Sequence, residues 1–298
     1  MQSLASRLMP LVMTIRGSKK RYSSAAATLA DMVKTAKNPK SSSPPKSINS
    51  RVDVSLETIA GWQVYTVRPR AASIARRALY LHGGSYVYEI AQQHWTLIAD
   101  LAVRAGVTFT VPIFPLAPIE TAATIVPTAT DLAAAMIADV GPENSSILGD
   151  SAGGGMALAV ALQLRDRGIP APHATILISP WLDISGSDPQ LAVIAPTDPW
   201  LAVPGSHAAG AVYRGALLED DPMVSPINGD LRGLGAVTVF TGTRDILNAD
   251  AHRLLEKAPA AGLALGFHEV AGMIHVYPLL PIPEARPARE IMRRAIAG

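Results

Sequence analysis

Ser146-Ile147-Leu148-Gly149-Asp150-Ser151-Ala152-Gly153-Gly154-Gly155 is the stretch that decides how this chain folds. A short apolar run rises to Gly149, and an Ala-rich helical run begins at Met156. Between them stands G-x-S-x-G, the pattern of a serine held on a tight strand-to-helix turn. Such a turn strains the serine backbone, and side chains two residues to either side would collide, so both flanking positions call for glycine. The turn lifts Ser151 Oγ clear of the sheet, and the start of the helix favours negative charge beside it. By composition the pattern arises in about one chain of this length in ten. A plain glycine-rich loop is therefore an equal reading until other features are weighed.

Upstream, Arg77-Ala78-Leu79-Tyr80-Leu81 reads as a buried strand that runs directly into His82-Gly83-Gly84-Ser85. A tetrahedral acyl intermediate carries an oxyanion, which needs preorganised N–H donors about 3 Å away. Paired glycines let the backbone come that close without a Cβ in the way. The amides of Gly83 and Gly84, with that of Ala152 behind the serine, are the expected donors. Each motif alone is weak, but in this order they support one another.

Together the two motifs resemble the hormone-sensitive-lipase-like branch of the α/β-hydrolases. The likeness continues through Pro112-Ile113-Phe114-Pro115-Leu116-Ala117-Pro118, Ser179-Pro180-Trp181-Leu182-Asp183 and Asp221-Pro222-Met223-Val224-Ser225-Pro226, and ends at Gly272-Met273-Ile274-His275-Val276. Two positions depart from the family pattern: Ser85 stands where a third glycine is usual, and Phe114-Pro115 where Tyr-Arg is usual. The resemblance implies an α/β-hydrolase fold, a mostly parallel sheet flanked by helices with a mainly helical cap, and hydrolysis of carboxylic esters. In that fold the chain order is Ser, then Asp or Glu, then His. Asp245, in Thr241-Gly242-Thr243-Arg244-Asp245 after the strand Ala236–Phe240, is the expected acid. Its rival Asp250 lies at the start of the next helix, where an acid more often serves as a cap or dipole partner. Of the later histidines, His252 belongs to a helix and His268 to the last strand, read as Leu265 to Val270. His275 hangs in the loop expected from Gly272 and is the expected base. His94, His173 and His207 carry no motif and read as surface or core residues.

The composition sets bounds. The 298 residues fit one α/β domain with an insertion. There is no cysteine, which excludes disulfides, thiolate chemistry and cysteine-bound metal. No continuous apolar run reaches the roughly 18 residues of a membrane span. The net charge of +2 gives no argument for nucleic acid. No metal or organic cofactor is called for. The charge is uneven, however. Residues 1–50 hold nine Lys/Arg against one acid, Asp31, whereas the remainder holds 17 against 23.

Leu4, Leu8, Leu11, Val12 and Ile15 recur at helical spacing beside Arg7 and Arg16. Pro10 and Arg16 interrupt the stretch, which argues against a secretory signal. Two readings stay open for this helix: part of a lid, as the resemblance implies, or a basic amphipathic contact with a membrane surface. The expected organisation is an N-terminal helical segment and linker (1–50), a catalytic domain (51–180 and 227–298) and a cap insertion (181–226). Trp200 and Tyr213 in the insertion are candidate pocket residues, with anchoring of the cap to the core the favoured role for each.

The expected function is a serine ester hydrolase of short- to medium-chain substrates working through an acyl-enzyme, located in the cytoplasm with or without membrane contact. Lactone hydrolysis would use the same residues. A non-catalytic ligand receptor on the same fold is the alternative of another class, and the presence of all three candidate residues weighs against it. A homodimer is compatible with the resemblance.

Overall fold

A computed structural model describes residues 2–70 and 76–298. The strand that rises to the Ser151 turn, β5 (Ser145–Asp150), is buried along its whole length and runs through the middle of one eight-stranded sheet. The other strands are β1 (Val52–Ile59), β2 (Trp62–Pro69), β3 (Arg77–Leu81), β4 (Thr108–Ile113), β6 (Ala174–Ile178), β7 (Ala236–Arg244) and β8 (Ala264–Ile274). Their order across the sheet is β1-β2-β4-β3-β5-β6-β7-β8. β1, β2 and β4 pair antiparallel, with the β1–β2 hairpin turning at Ala60-Gly61, and every other pair is parallel.

Ten α-helices, with four short 3₁₀ turns, complete the described chain: α1 (Leu4–Ile15), α2 (Ser18–Arg21), α3 (Ala25–Lys37), α4 (Gln92–Ala105), α5 (Ala122–Val140), α6 (Ala152–Asp166), α7 (Gln190–Ile194), α8 (Val203–Arg214), α9 (Asn248–Lys257) and α10 (Ala285–Ala297). Successive strand residues feed opposite faces. Leu79, Leu81 and Ile147 join the core under α5 and α6, while Ala78, Tyr80 and Leu148 join the core under α4 and α10. α5 has 19 residues and a mean hydropathy of 1.3, enough by length and composition to cross a membrane. In the fold it packs against α6 and the sheet.

Parallel strands release their loops at one sheet edge, the usual place for a site in open α/β folds. The register pairs Leu81 with Gly149, so the chain leaves β3 beside the point where β5 reaches its turn. β7 and β8 end at the same edge. Residues 181–226 contain α7 and α8 and no strand. α3 packs on α8, and Tyr22 O accepts from Gly205 N at 2.9 Å, which joins the N-terminal helices to this insertion. At the other end of the N-terminal segment, Ser3 caps α1 and donates with Ser6 to the Glu284 carboxylate at the start of α10.

Candidate active site

Ser151 has φ 53°, a left-handed backbone that non-glycine residues rarely adopt. The strain is held by neighbours: Ser151 N donates to Ile178 O at 2.8 Å, and Ser151 O accepts from Trp181 N at 2.9 Å. A Cβ on Gly149 would run into the Gly153 carbonyl, and one on Gly153 would run into the carbonyls that end β3. Both collisions are the ones expected of the motif. The turn therefore fits only because these two positions lack side chains.

From this turn one line of hydrogen bonds leads outward. Ser151 Oγ lies 2.9 Å from His275 Nε2, and His275 Nδ1 lies 2.9 Å from Asp245 Oδ2. A carboxylate only accepts, so Nδ1 carries the proton and Nε2 is free to accept from the serine. Asp245 Oδ1 accepts from Leu247 N, which fixes the carboxylate plane. All three side chains are buried. Burial alone would push the His275 imidazole down. The charge and hydrogen bond of Asp245, with Asp198 and Asp150 behind it, reverse this and raise its pKa above the ordinary value.

The last strand corrects one expectation. β8 does not stop at Val270 but continues, through an irregularity opposite Gly242 to Arg244, as far as Ile274. His275 therefore follows the strand directly, and Gly272 lies within it. Val276, with φ 47°, turns the chain away, and its N–H donates to Ser179 Oγ at 3.0 Å.

The upstream loop corrects another. Gly83 N donates to Asp150 Oδ1 at 3.0 Å, so this amide is aimed at a carboxylate and not at the space before Ser151. Gly83 instead provides clearance: a Cβ there would press on Asp150 and on Ser151 Cβ. The amides of Gly84, Ser85 and Ala152 have no acceptor among the described residues. Ser85, which has φ 53°, takes the place of the third glycine, and its hydroxyl is bonded to Tyr22 OH at 2.9 Å.

Asp150 accepts from Tyr80 OH and Gly83 N on Oδ1, and from His94 on Oδ2. His94 Nδ1 accepts from Ala91 N, so Nε2 carries the proton it gives to Asp150. Burial would raise the Asp150 pKa, but these donors outweigh it and hold the group below the usual carboxylate range. His94 is thus a member of the site's support, where the sequence suggested a residue without a role. His82 stacks on Phe114 at 4.3 Å and is pushed down to about 4 by burial, then by His94, which keeps it neutral.

A second buried carboxylate had no motif to reveal it. Asp198, in the 181–226 insertion, accepts from Trp200 N and Leu201 N on Oδ1 and from Ile246 N on Oδ2. Ile246 follows Asp245, so the insertion is tied to the loop of the candidate acid. Burial and the nearby Asp245 push Asp198 up to about 6. Lys19 Nζ in turn donates to Asp198 O and Ala195 O, both at 2.6 Å. Trp200 meets the His275 ring in a T-shaped pair at 5.6 Å and lines the cavity, and it also packs against the core, so it combines the two roles the sequence offered. Tyr213, stacked on Tyr86 at 3.5 Å and fully buried, is an anchor as expected. Asp250 is no cap for its own helix: its Oδ2 accepts from Leu182 N and Asp183 N. Arg244 Nε donates to Thr197 O at 3.1 Å.

The cavity over Ser151 and His275 has a volume of about 790 Å³. Ile90, Leu201, Leu279 and Leu280 line it together with Trp200, and Arg21, Lys34 and Lys40 also contribute to its wall. No cluster of three metal-ligating side chains occurs among the described residues.

A sheet of this order with a strained serine at the end of its central strand defines an α/β-hydrolase, and residues 78–279 match the family described as having the alpha/beta hydrolase fold. The chain belongs to that family, in its hormone-sensitive-lipase-like esterase and lipase branch. It is 32% identical over 241 residues to a triacylglycerol lipase of Mycobacterium tuberculosis, a match covering 80% of this chain and 50% of that protein. The chain therefore spans about half the length of that relative. It is 33% identical over 236 residues to an acetyl-hydrolase of Streptomyces hygroscopicus, covering 76% of each. Among solved structures, the esterase EstE5 superposes with a TM-score of 0.78 at 29% identity, over 90% of this chain and 99% of that one.

Proposed function

We propose that this chain is a serine carboxylic-ester hydrolase for short- to medium-chain esters. The observation that carries the reading is the unbroken line from Ser151 Oγ through His275 to Asp245, buried at the floor of a cavity beside amides that lack an acceptor. His275 takes the serine proton as Oγ attacks the ester carbonyl, and Asp245 stabilises the imidazolium that forms. Gly84 and Ala152, with Ser85 replacing Gly83 in the proposed set, donate to the oxyanion. His275 then protonates the departing alcohol, and water repeats the attack on the acyl-enzyme with the same base.

Residues 1–50 and 181–226 together form the cover of the site in this reading. Support comes from the contacts of Tyr22 with Ser85 and of Lys19 with the insertion. A cavity closed by two packed segments suits a compact ester better than an extended chain. Each methylene accommodated adds about 0.8 kcal/mol of apolar transfer, so kcat/KM should climb with acyl length until the cavity is full. A p-nitrophenyl ester series from acetyl to palmitoyl, run beside a lactone panel, tests this. The expected maximum lies between acetyl and octanoyl. A maximum at palmitoyl would refute the chain-length reading, and turnover of lactones alone would refute the ester reading.

A further inference from the structure

α1 has two unlike sides. Ser6 and Met13 are buried against the body of the protein. On the opposite side Leu4, Leu8, Leu11 and Ile15 are 73%, 49%, 57% and 77% exposed. Their spacing of four, three and four residues places all four in one stripe along a helix. α1 spans about 18 Å, so the stripe is a continuous aliphatic ridge over three turns. Single exposed leucines are ordinary, whereas an aligned row of four needs a partner.

The charge beside the ridge selects that partner. From Leu4 to Tyr22 the chain has five basic residues and no acid. Lys19 is committed to the carbonyls of the insertion, and Arg21 is paired with Asp31 at 2.8 Å. Arg7, Arg16 and Lys20 are exposed and have no carboxylate partner among the described residues. A second copy meeting the ridge across a twofold axis would set these like charges against each other. A surface of anionic headgroups over acyl chains meets both demands, taking the leucines below and the basic groups at the phosphate level. We infer that α1 is a docking helix for an anionic lipid surface, lying flat with the Leu4–Ile15 ridge inserted. Docking there would set the insertion close to the surface, because Lys19 joins it four residues after Ile15.

Flotation of the full chain with vesicles tests this without any turnover, so its outcome is independent of the ester reading. The chain is expected to float with phosphatidylcholine vesicles rich in phosphatidylglycerol, and far less with phosphatidylcholine alone. The double variant Leu8→Glu/Leu11→Glu should lower the partition coefficient at least about tenfold. The pair Arg7→Gln/Arg16→Gln should erase the preference for the anionic vesicles. All four residues are exposed and away from Ser151, so both variants should keep the wild-type melting temperature and hydrolysis of a soluble butyrate ester. Three results would each overturn the inference: no flotation with anionic vesicles, equal flotation of the Leu8→Glu/Leu11→Glu variant, or a wild-type dimer in light scattering that the same variant dissociates.

Discussion

The sheet edge and the layer above it build the same site by different means. On the sheet edge, Ser151, Asp245 and His275 each stand at or just past the end of a strand, so the parallel register places them and short motifs mark them. In the covering layer, Lys19, Tyr22, Asp198 and Trp200 reach the site from helices and turns, through hydrogen bonds to the backbone or to another side chain's edge. In the proposed mechanism the first set supplies the chemistry and should tolerate no replacement. The second set trims position and charge, and its effects should be graded.

That contrast can be broken or sharpened by substitution. The largest expected effect is at Ser151. Ser151→Ala should remain folded, lose ester hydrolysis and no longer react with a fluorophosphonate probe; labelling elsewhere with activity intact would remove the basis of the comparison. Asp245→Asn comes next. It leaves the imidazole in the wrong tautomer, and kcat should fall by roughly 10³–10⁴-fold. Asp250→Asn should cost little turnover, since Asp250 holds the amides of Leu182 and Asp183, which an Asn oxygen can also do. Its effect belongs to stability. Burial and Asp183 raise Asp250 to about 7, above its unfolded value, so the wild type should lose stability relative to the variant as pH rises through about 7.

Asp198→Asn probes the covering layer directly. Asp198 is one of the charges that raise the His275 pKa, and the base must be neutral to accept the serine proton. Activity is thus lost as pH falls through that raised value, and removing the Asp198 charge should shift the acid limb of kcat/KM to lower pH. The variant also sets an amide NH₂ towards Ile246 N–H, which should lower the melting temperature. An unmoved acid limb would reduce Asp198 to a packing role. The smallest effect is expected for Tyr22→Phe, which cuts the bond to Ser85 and should lower kcat less than about tenfold with KM nearly unchanged. A loss as large as that of Asp245→Asn would erase the distinction between the two sets.

The same contrast explains what the sequence could disclose. The sheet edge was legible because a strained serine turn demands glycine at 149 and 153, and because the apolar runs leading to His82, Gly149 and Asp245 read as strands. Asp198 was invisible for the opposite reason. Its donors are backbone amides, which any residue supplies, and its partner loop is distant in the chain. His94 was passed over because nothing near it in the chain points to Asp150. The fate of the Gly83 amide could not be read either, since a glycine chosen for clearance and one chosen for its N–H look alike.

The clamp between Ser3, Ser6 and Glu284 bears on the order in which the molecule is made. The first helices leave the ribosome before anything they dock on exists. Asp198 and Gly205, which receive Lys19 and Tyr22, come some 180 residues later, and Glu284 comes 281 residues after Ser3. N-terminal units usually fold first during synthesis, but here the N-terminal segment must wait for the rest. The strands that carry the serine turn and the Gly83-Gly84 loop are translated before residue 198 and can be paired in the sheet while residues 1–50 are still unattached. Docking of residues 1–50 should therefore follow pairing of the sheet, and wait for Glu284 to be made.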